Sequence, residues 1–245
     1  MALVGYSSSE EEPENGEEYS TLPHFMCDLE GDMVRFGNQS RNPPTDGRLR
    51  NFPHKHGNWA TSVFAPANSA LENYFRSLLN DVEKVLFGSR HQFHICEDFH
   101  LSLTKTWPLL HHWIPGFTEA VRGLAAASHR FSVIFDGAQF LVNEEGTRSF
   151  LAVRVNASPN LLDVVRRLDE TVVLFRGEPY YKNPVFHFSL AWCLGDVNTL
   201  TPLDWRTACL TAVNNSLGSW SPPCGLEINS LIVQCGNEKF LFQLL

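Results

Sequence analysis

The stretches His100-Leu101-Ser102-Leu103 and His187-Phe188-Ser189-Leu190 repeat one pattern 87 residues apart. Each stretch holds a histidine and a serine two positions apart, with apolar residues at the alternate positions. Residues i and i+2 of a β-strand point to the same face of a sheet, so each stretch would direct one imidazole and one hydroxyl to one side and its apolar residues to the other. The repeat therefore predicts a site at which two histidines and two serines meet.

The segments around the two motifs follow the same order, which is strand, helix, strand, helix, strand, strand. Apolar periodicity predicts strands near 58–64, 99–104, 131–142 (two segments), 150–155, 186–192, 226–234 and 239–244, and helices near 68–87, 112–127, 160–175 and 203–213. We expect an α+β protein with two pseudo-symmetric lobes, each a mainly antiparallel sheet with helices, and a central cleft between them. The predicted domain covers 49–245, with lobes at about 49–145 and 146–245.

Charge is unevenly distributed along the 245 residues. Residues 1–48 hold 10 acidic and 3 basic side chains and so account for −7 of the formal charge of −8. Their Ser, Glu, Asn, Pro and Gly content, without sustained periodicity, predicts a disordered acidic arm over 1–48. The rest of the chain is nearly neutral, so a local patch of it can still face a polyanion.

Several classes of protein are disfavoured. The first residues have neither a basic region nor an apolar core of the signal-peptide type, so we expect an intracellular protein without a secretory signal. No stretch is apolar enough for a membrane-spanning helix, and we expect no membrane association. The six cysteines show no C-x-x-C pair, which favours reduced, packed thiols.

Two imidazoles and two hydroxyls suit the cleavage of a phosphodiester by an internal 2′-hydroxyl. Histidine titrates near pH 6.5, so a facing pair can supply one neutral base and one protonated acid at physiological pH. One imidazole would take the 2′-hydroxyl proton, while the other would protonate the departing 5′-oxygen. The serine hydroxyls would donate to the non-bridging phosphate oxygens and stabilise the developing charge.

Other interpretations of these residues are weaker. A single H-x-S on a strand is more often structural than catalytic. A zinc site is disfavoured because the pairs His54/His56, His91/His94 and His111/His112 lack H-E-x-x-H spacing, and the latter pair with Trp113 is better explained as packing at a helix start. Neither motif serine lies in a G-x-S-x-G elbow, which disfavours a serine nucleophile. We therefore predict no metal and no cofactor.

At these motifs the chain resembles the 2H phosphoesterases, a family defined by two H-x-S/T-x motifs. Within it, the chain is most similar to the U6 small nuclear RNA phosphodiesterases of animals. The stretches that carry this similarity, besides the first residues at 3–9, are Phe52-Pro53-His54, Gly57-Asn58-Trp59-Ala60-Thr61, Phe99 to Leu103, His111-His112-Trp113-Ile114, Thr147-Arg148-Ser149-Phe150 and Phe186 to Cys193.

The resemblance implies a 3′-to-5′ exoribonuclease that acts as a monomer in the nucleus. Its role would be in RNA processing, on an RNA that mRNA splicing requires. It would trim the uridine-rich, single-stranded 3′ end of U6 small nuclear RNA and leave a 2′,3′-cyclic phosphate without a metal. His100 and His187 would be the acid/base pair, and Ser102 and Ser189 would hold the phosphate. Tyr181 would stack on the terminal base. Further substrate contacts are implied for Leu101, Glu144, Asn183, Pro184, Val185, Phe186 and Phe188.

The chain departs from the family pattern at three positions. Phe188 replaces the usual leucine, and because it faces the core side we expect repacking there. Glu144 stands where relatives can carry glutamine, which brings an acid near a polyanion. Lys182 adds a cation beside Tyr180-Tyr181, and an aromatic pair with a cation is by itself typical of a base-stacking platform.

Two other functions stay open at this point. The chain could be another 2H enzyme that acts on small cyclic phosphates, or an RNA-binding module that has the fold without the catalysis. The residues also leave open which histidine is the base and which is the acid.

Overall fold

The structure, a computed structural model, describes residues 57–86, 92–219 and 226–245. Its strands are β1 (Asn58–Pro66), β2 (His94–Ile95), β3 (His100–Ser102), β4 (Trp107–Leu110), β5 (Phe131–Val133), β6 (Phe135–Val142), β7 (Arg148–Val155), β8 (His187–Leu194), β9 (Leu226–Ile228), β10 (Ser230–Cys235) and β11 (Glu238–Gln243). Its α-helices are α1 (Ser69–Leu86), α2 (Ile114–Ala126), α3 (Pro159–Leu174), α4 (Val197–Leu200) and α5 (Leu203–Ser219). The predicted arm over 1–48, His54/His56 and His91 lie outside the described residues.

The helices form where the sequence supplies an apolar face and a cap. The side chain of Asn68 accepts a hydrogen bond from the backbone N–H of Leu71 at 2.9 Å and so caps α1. Ser158 caps α3 in the same way, accepting from the N–H of Leu161 at 3.2 Å, and Pro159 follows at the first helical position. Within the described residues, no helix combines the length and the apolar character needed to cross a membrane.

A nine-stranded sheet with antiparallel pairing dominates the fold, which confirms the α+β prediction. Its strand order is β11-β10-β1-β3-β8-β7-β6, with β4 paired to β1 and β2 paired to β8. The order does not follow the chain, because β10 and β11 from the predicted second lobe lie beside β1, while β6 from the first lies beside β7. Each side of the β3–β8 junction therefore combines strands from both predicted lobes.

The core lies against one face of this central junction. Phe75 of α1 is fully buried, and its ring lies 5.3 Å from Phe99, 5.8 Å from Phe135 and 5.5 Å from Phe188 between centroids. Phe188 thus fills a cluster of aromatic rings beneath α1, which is how the phenylalanine of the second motif is accommodated. The α1 side of the motif strands is apolar and closed, and their other face is left for polar side chains.

Candidate active site

The two motif strands are direct neighbours in the sheet. β3 and β8 pair antiparallel with Leu101 opposite Phe188, the central residues of the two motifs. In an antiparallel pair with this register, His100 lies across from Ser189, and Ser102 lies across from His187. Leu101 and Phe188 are each 0% exposed, whereas the two histidines and two serines are half-buried. The pairing brings all four polar side chains to the face opposite the aromatic core, as the sequence predicts.

Both imidazoles are oriented in the same way, by a hydrogen bond to the carbonyl oxygen of the residue two positions earlier. Nδ1 of His100 lies 3.2 Å from the carbonyl oxygen of Asp98, and Nδ1 of His187 lies 2.6 Å from the carbonyl oxygen of Val185. A carbonyl oxygen can only accept, so Nδ1 carries the hydrogen and donates in both rings. Nε2 is then the nitrogen that each ring offers for proton transfer.

Burial lowers the pKa of both histidines from the ordinary value. For His100 the desolvation by burial outweighs the hydrogen bond to Asp98 and the charge of Asp98, which act in the other direction. The Phe64 ring contributes to this apolar surrounding, with its centroid 4.6 Å from that of His100. For His187 burial again lowers the pKa, opposed by the bond to Val185. The lowered pKa favours the neutral form of both rings, which is the form in which a general base acts.

A cleft of about 780 Å³ opens beside the motifs. Ser102 and His187 are among the residues that line it, together with Lys105, Arg148 and Arg176 as cations and Glu144, Glu145 and Glu178 as carboxylates. The hydroxyls of Ser102 and Ser189 have no hydrogen-bond partner within the described ranges. They are thus available to donate to phosphate oxygens.

Tyr181 projects from the wall of this cleft with 44% of its surface exposed. The ring of Tyr180 meets it edge-on at 5.0 Å, and Nζ of Lys105 lies 4.8 Å from its centroid. Burial raises the pKa of Tyr181, the charge of Glu144 adds to the rise, and Lys105 opposes it. Tyr180 thus holds one edge of the Tyr181 ring, and Lys105 lies beside the ring. A half-exposed aromatic ring held in this way can stack on a base.

The other sequence-predicted site residues fall into three groups. Glu144, Asn183 and Val185 line the cleft with Tyr181. The side chains of Leu101, Phe186 and Phe188 are buried, so only their main chain could contact a substrate. Pro184, His100 and Ser189 are half-buried and lie beside the cleft rather than among its lining residues.

Sequence reasoning missed two cations of this site, and it missed the contact by which Tyr180 reaches the first motif. The hydroxyl of Tyr180 donates to the carbonyl oxygen of Ser102 at 3.1 Å and ties the α3–β8 loop to β3. Lys105 and Arg176 supply cations to the cleft. Lys105, three residues after Ser102, could have been noted from its spacing, whereas nothing in the local sequence marks Arg176.

Those histidines of the alternative clusters that the structure describes, His94, His111 and His112, are engaged in packing. His111 and His112 form a 3-10 turn with Trp113 at the start of α2, and the ring of His111 lies 5.4 Å from that of Trp59. His94 stacks on Trp192 at 4.5 Å. In the part of the chain that the structure describes, no three His, Cys, Asp or Glu side chains are grouped so that they could hold a metal ion.

Comparisons with known proteins identify the family and the fold. The family model described as "HVSL: Uncharacterised conserved protein" matches residues 20–243. The solved structure of Kluyveromyces marxianus Usb1 covers 78% of this chain and 100% of its own, with a TM-score of 0.55 at 16% identity, and so shares the fold. The family model covers more than half of the chain, so the chain belongs to the HVSL family.

The names of similar proteins narrow this assignment to a single family. U6 snRNA phosphodiesterase 1 of Xenopus laevis is 35% identical over 260 residues, covering 100% of both chains. The Danio rerio protein of that name is 35% identical over 202 residues, which are 81% of this chain and 71% of the relative. The Homo sapiens protein is 33% identical over 214 residues, which are 79% and 80% of the two chains. The chain belongs to the U6 snRNA phosphodiesterase family.

Proposed function

We propose that this protein is a 3′-to-5′ exoribonuclease that trims the uridine-rich 3′ end of U6 small nuclear RNA and leaves a 2′,3′-cyclic phosphate. The observation that carries the proposal is the pairing of the two motif strands at Leu101 and Phe188. That pairing sets each histidine across from the serine of the other motif. The names of the curated relatives support the choice of RNA.

The reaction needs one proton removed and one delivered on opposite sides of the phosphorus. Nε2 of one neutral imidazole takes the proton of the 2′-hydroxyl upstream of the scissile phosphate, and the 2′-oxygen attacks phosphorus. The bond from phosphorus to the 5′-oxygen breaks, and the second imidazole, protonated when the anionic phosphate is bound, gives its proton to that oxygen. Ser102 and Ser189 donate to the non-bridging oxygens, where negative charge grows in the transition state.

Tyr181 accounts for the direction of trimming. Stacking of one base on an aromatic ring contributes about 1–3 kcal/mol and tolerates any base. A terminal base stacked on this ring would place the phosphate that precedes it near Ser102 and His187, which line the same cleft. The substrate is therefore a single-stranded 3′ end, and we expect a monomer that works in the nucleus, where this RNA is processed.

The test uses a 5′-labelled oligouridylate with a free 3′ diol, incubated with the full chain after exhaustive chelation with EDTA. We expect a ladder of stepwise shorter products with cyclic phosphate ends, because the histidines and serines supply the proton transfers and the oxyanion donors. Action only on small cyclic phosphates would instead indicate another 2H enzyme. Binding without turnover would indicate an RNA-binding module. Activity restored only by added divalent metal would contradict the metal-free mechanism.

A further inference from the structure

Arg176 occupies a backbone position that usually belongs to glycine. It follows α3 in the left-handed region, with φ of 60°. Its N–H donates to the carbonyl oxygen of Val173 at 3.1 Å, and that of Gly177 donates to Val172 at 3.0 Å. These two bonds form the common helix-ending motif whose left-handed residue is most often glycine. A side chain there is strained, and such strain concentrates at functional sites.

The adjacent glycine shows that packing sets the path of this loop. A Cβ on Gly177 would lie 2.3 Å from Cγ1 of Val172 and 3.1 Å from the ring of Trp107. Position 177 therefore accepts no side chain without displacement of its neighbours. Trp107 lines the cleft, so the close approach of Gly177 holds the loop against the cleft wall and leaves the arginine at its rim.

Arg176 and Lys105 are held in similar ways. The guanidinium carbon of Arg176 lies 5.2 Å from the ring centroid of Trp113, and Nζ of Lys105 lies 4.8 Å from that of Tyr181. Lys105 also pairs with Glu178 at 3.3 Å, but that carboxylate side chain is 81% exposed, so the ion pair is weak. Both cations line the cleft, and an aromatic face leaves a cation free to bind an anion.

The two cations line the same cleft as Ser102 and His187, but each is held against an aromatic ring. The α3–β8 loop runs alongside the segment that leaves the first motif, and successive contacts join the two. In order from the motif these contacts are Tyr180 with Ser102, Glu178 and Tyr181 with Lys105, Gly177 with Trp107, and Arg176 with Trp113. Lys105 thus lies beside the ring of Tyr181, and Arg176 lies against Trp113.

We propose that Arg176 and Lys105 bind an RNA phosphate other than the one that reacts. The proposal rests on the proposed function, since it names a second contact with the same substrate. Two groups of the RNA could supply this phosphate. One is a backbone phosphate elsewhere in the strand, and the other is the 2′,3′-cyclic phosphate that the preceding cut leaves at the 3′ end. Carboxylates also line the cleft, so the net charge of the cleft does not decide where an anion binds. The positions of the two cations decide it.

Binding measured against salt concentration tests this phosphate site without turnover. The ligand is an oligouridylate with a penultimate 2′-deoxy sugar, titrated by fluorescence polarisation. For a single strand, removing one cation that binds a phosphate should reduce the slope of log K against log salt by about 0.7. We expect this reduction in Arg176→Gly and in Lys105→Gln, while Arg176→Lys keeps most of the parent slope. Arg176→Gly should melt at or above the parent temperature, because glycine relieves the left-handed strain.

A matched control is Arg166→Gln, an exposed arginine on α3 that does not line the cleft and pairs with Asp163 and Glu170. Its slope should equal that of the parent. Parent slopes in both Arg176→Gly and Lys105→Gln would overturn the proposal.

Trimming assays then separate the two phosphate sources. A defect that grows from the dinucleotide UpU to longer oligouridylates indicates a backbone phosphate. A defect confined to substrates with a cyclic phosphate end indicates the terminal group. An equal defect on every substrate, including UpU with a free diol, would contradict a second phosphate site. If the parent itself fails to trim, the proposed function falls, whereas normal trimming with unchanged variants removes only this inference.

Discussion

The hydroxyl of Tyr180 donates a hydrogen bond to the carbonyl oxygen of Ser102 at 3.1 Å, although the two residues are 78 positions apart in the chain. Tyr180 is 9% exposed, its ring stacks on Phe186 at 5.8 Å, and its N–H donates to Asp169 at 2.7 Å. This buried tyrosine therefore fixes the α3–β8 loop, which carries Tyr181, to the strand that carries the first motif.

Tyr180→Phe removes that bond and keeps the ring. We expect the free energy of unfolding to fall by about 0.5–1.5 kcal/mol, the net contribution of one such hydrogen bond. The KM for RNA should rise more than kcat falls, because the loop that carries Tyr181 is no longer tied to β3. Urea unfolding and steady-state trimming measure the two effects. Unchanged stability together with unchanged KM would show that the bond has no such role.

His100→Ala and His187→Ala should each reduce trimming by at least about 10²–10⁴-fold, the usual contribution of general acid or base catalysis. Thermal melting should stay close to the parent, because both rings are half-buried at the edge of the core. His129→Ala, an exposed histidine that does not line the cleft, serves as the control. Activity within tenfold of the parent in either motif variant would refute the two-histidine mechanism.

The pH profile of kcat/KM should be bell-shaped with its maximum below pH 6.5. The base works in its neutral form and becomes inactive as pH falls through its pKa, while the acid works protonated and becomes inactive as pH rises through its own. Burial lowers the pKa of both histidines in the free protein, so both limbs shift to lower pH. A maximum well above pH 7 would contradict this assignment.

Tyr181→Ala should weaken apparent substrate binding by about 1–3 kcal/mol, the contribution of one stacked base. Single-turnover cleavage at saturating RNA should change much less. Tyr181→Phe keeps the aromatic face and should bind nearly as the parent does. Equal binding by the alanine and phenylalanine variants would exclude stacking at this ring.

The motif strands and the long helices could be predicted from sequence because both depend on local periodicity. The helices predicted near 68–87 and 160–175 match α1 and α3. The order of strands could not be predicted in this way. The pairing of β10 with β1 joins residues about 170 positions apart, such as Val63 and Val233, and only tertiary packing decides it.

The candidate site likewise has features that local sequence periodicity predicts and features that it does not. The alternation in His100-Leu101-Ser102 places the imidazole and hydroxyl opposite the core, which a strand period alone predicts. The short strand β4 was missed, since Pro108 interrupts its pattern. Arg176 was missed because a left-handed conformation is recognised from sequence by glycine or asparagine, and neither occurs there.

A single 2′-deoxy substitution at the penultimate nucleotide of a 5′-labelled oligouridylate tests the central claim most directly. The 2′-hydroxyl at that position is the attacking nucleophile in a reaction that forms a cyclic phosphate, so its removal should block release of the last residue. The same substitution at the terminal nucleotide should leave the rate nearly unchanged, because that hydroxyl takes no part. Normal removal of the last residue from the penultimate 2′-deoxy RNA would show attack by water and would contradict the account.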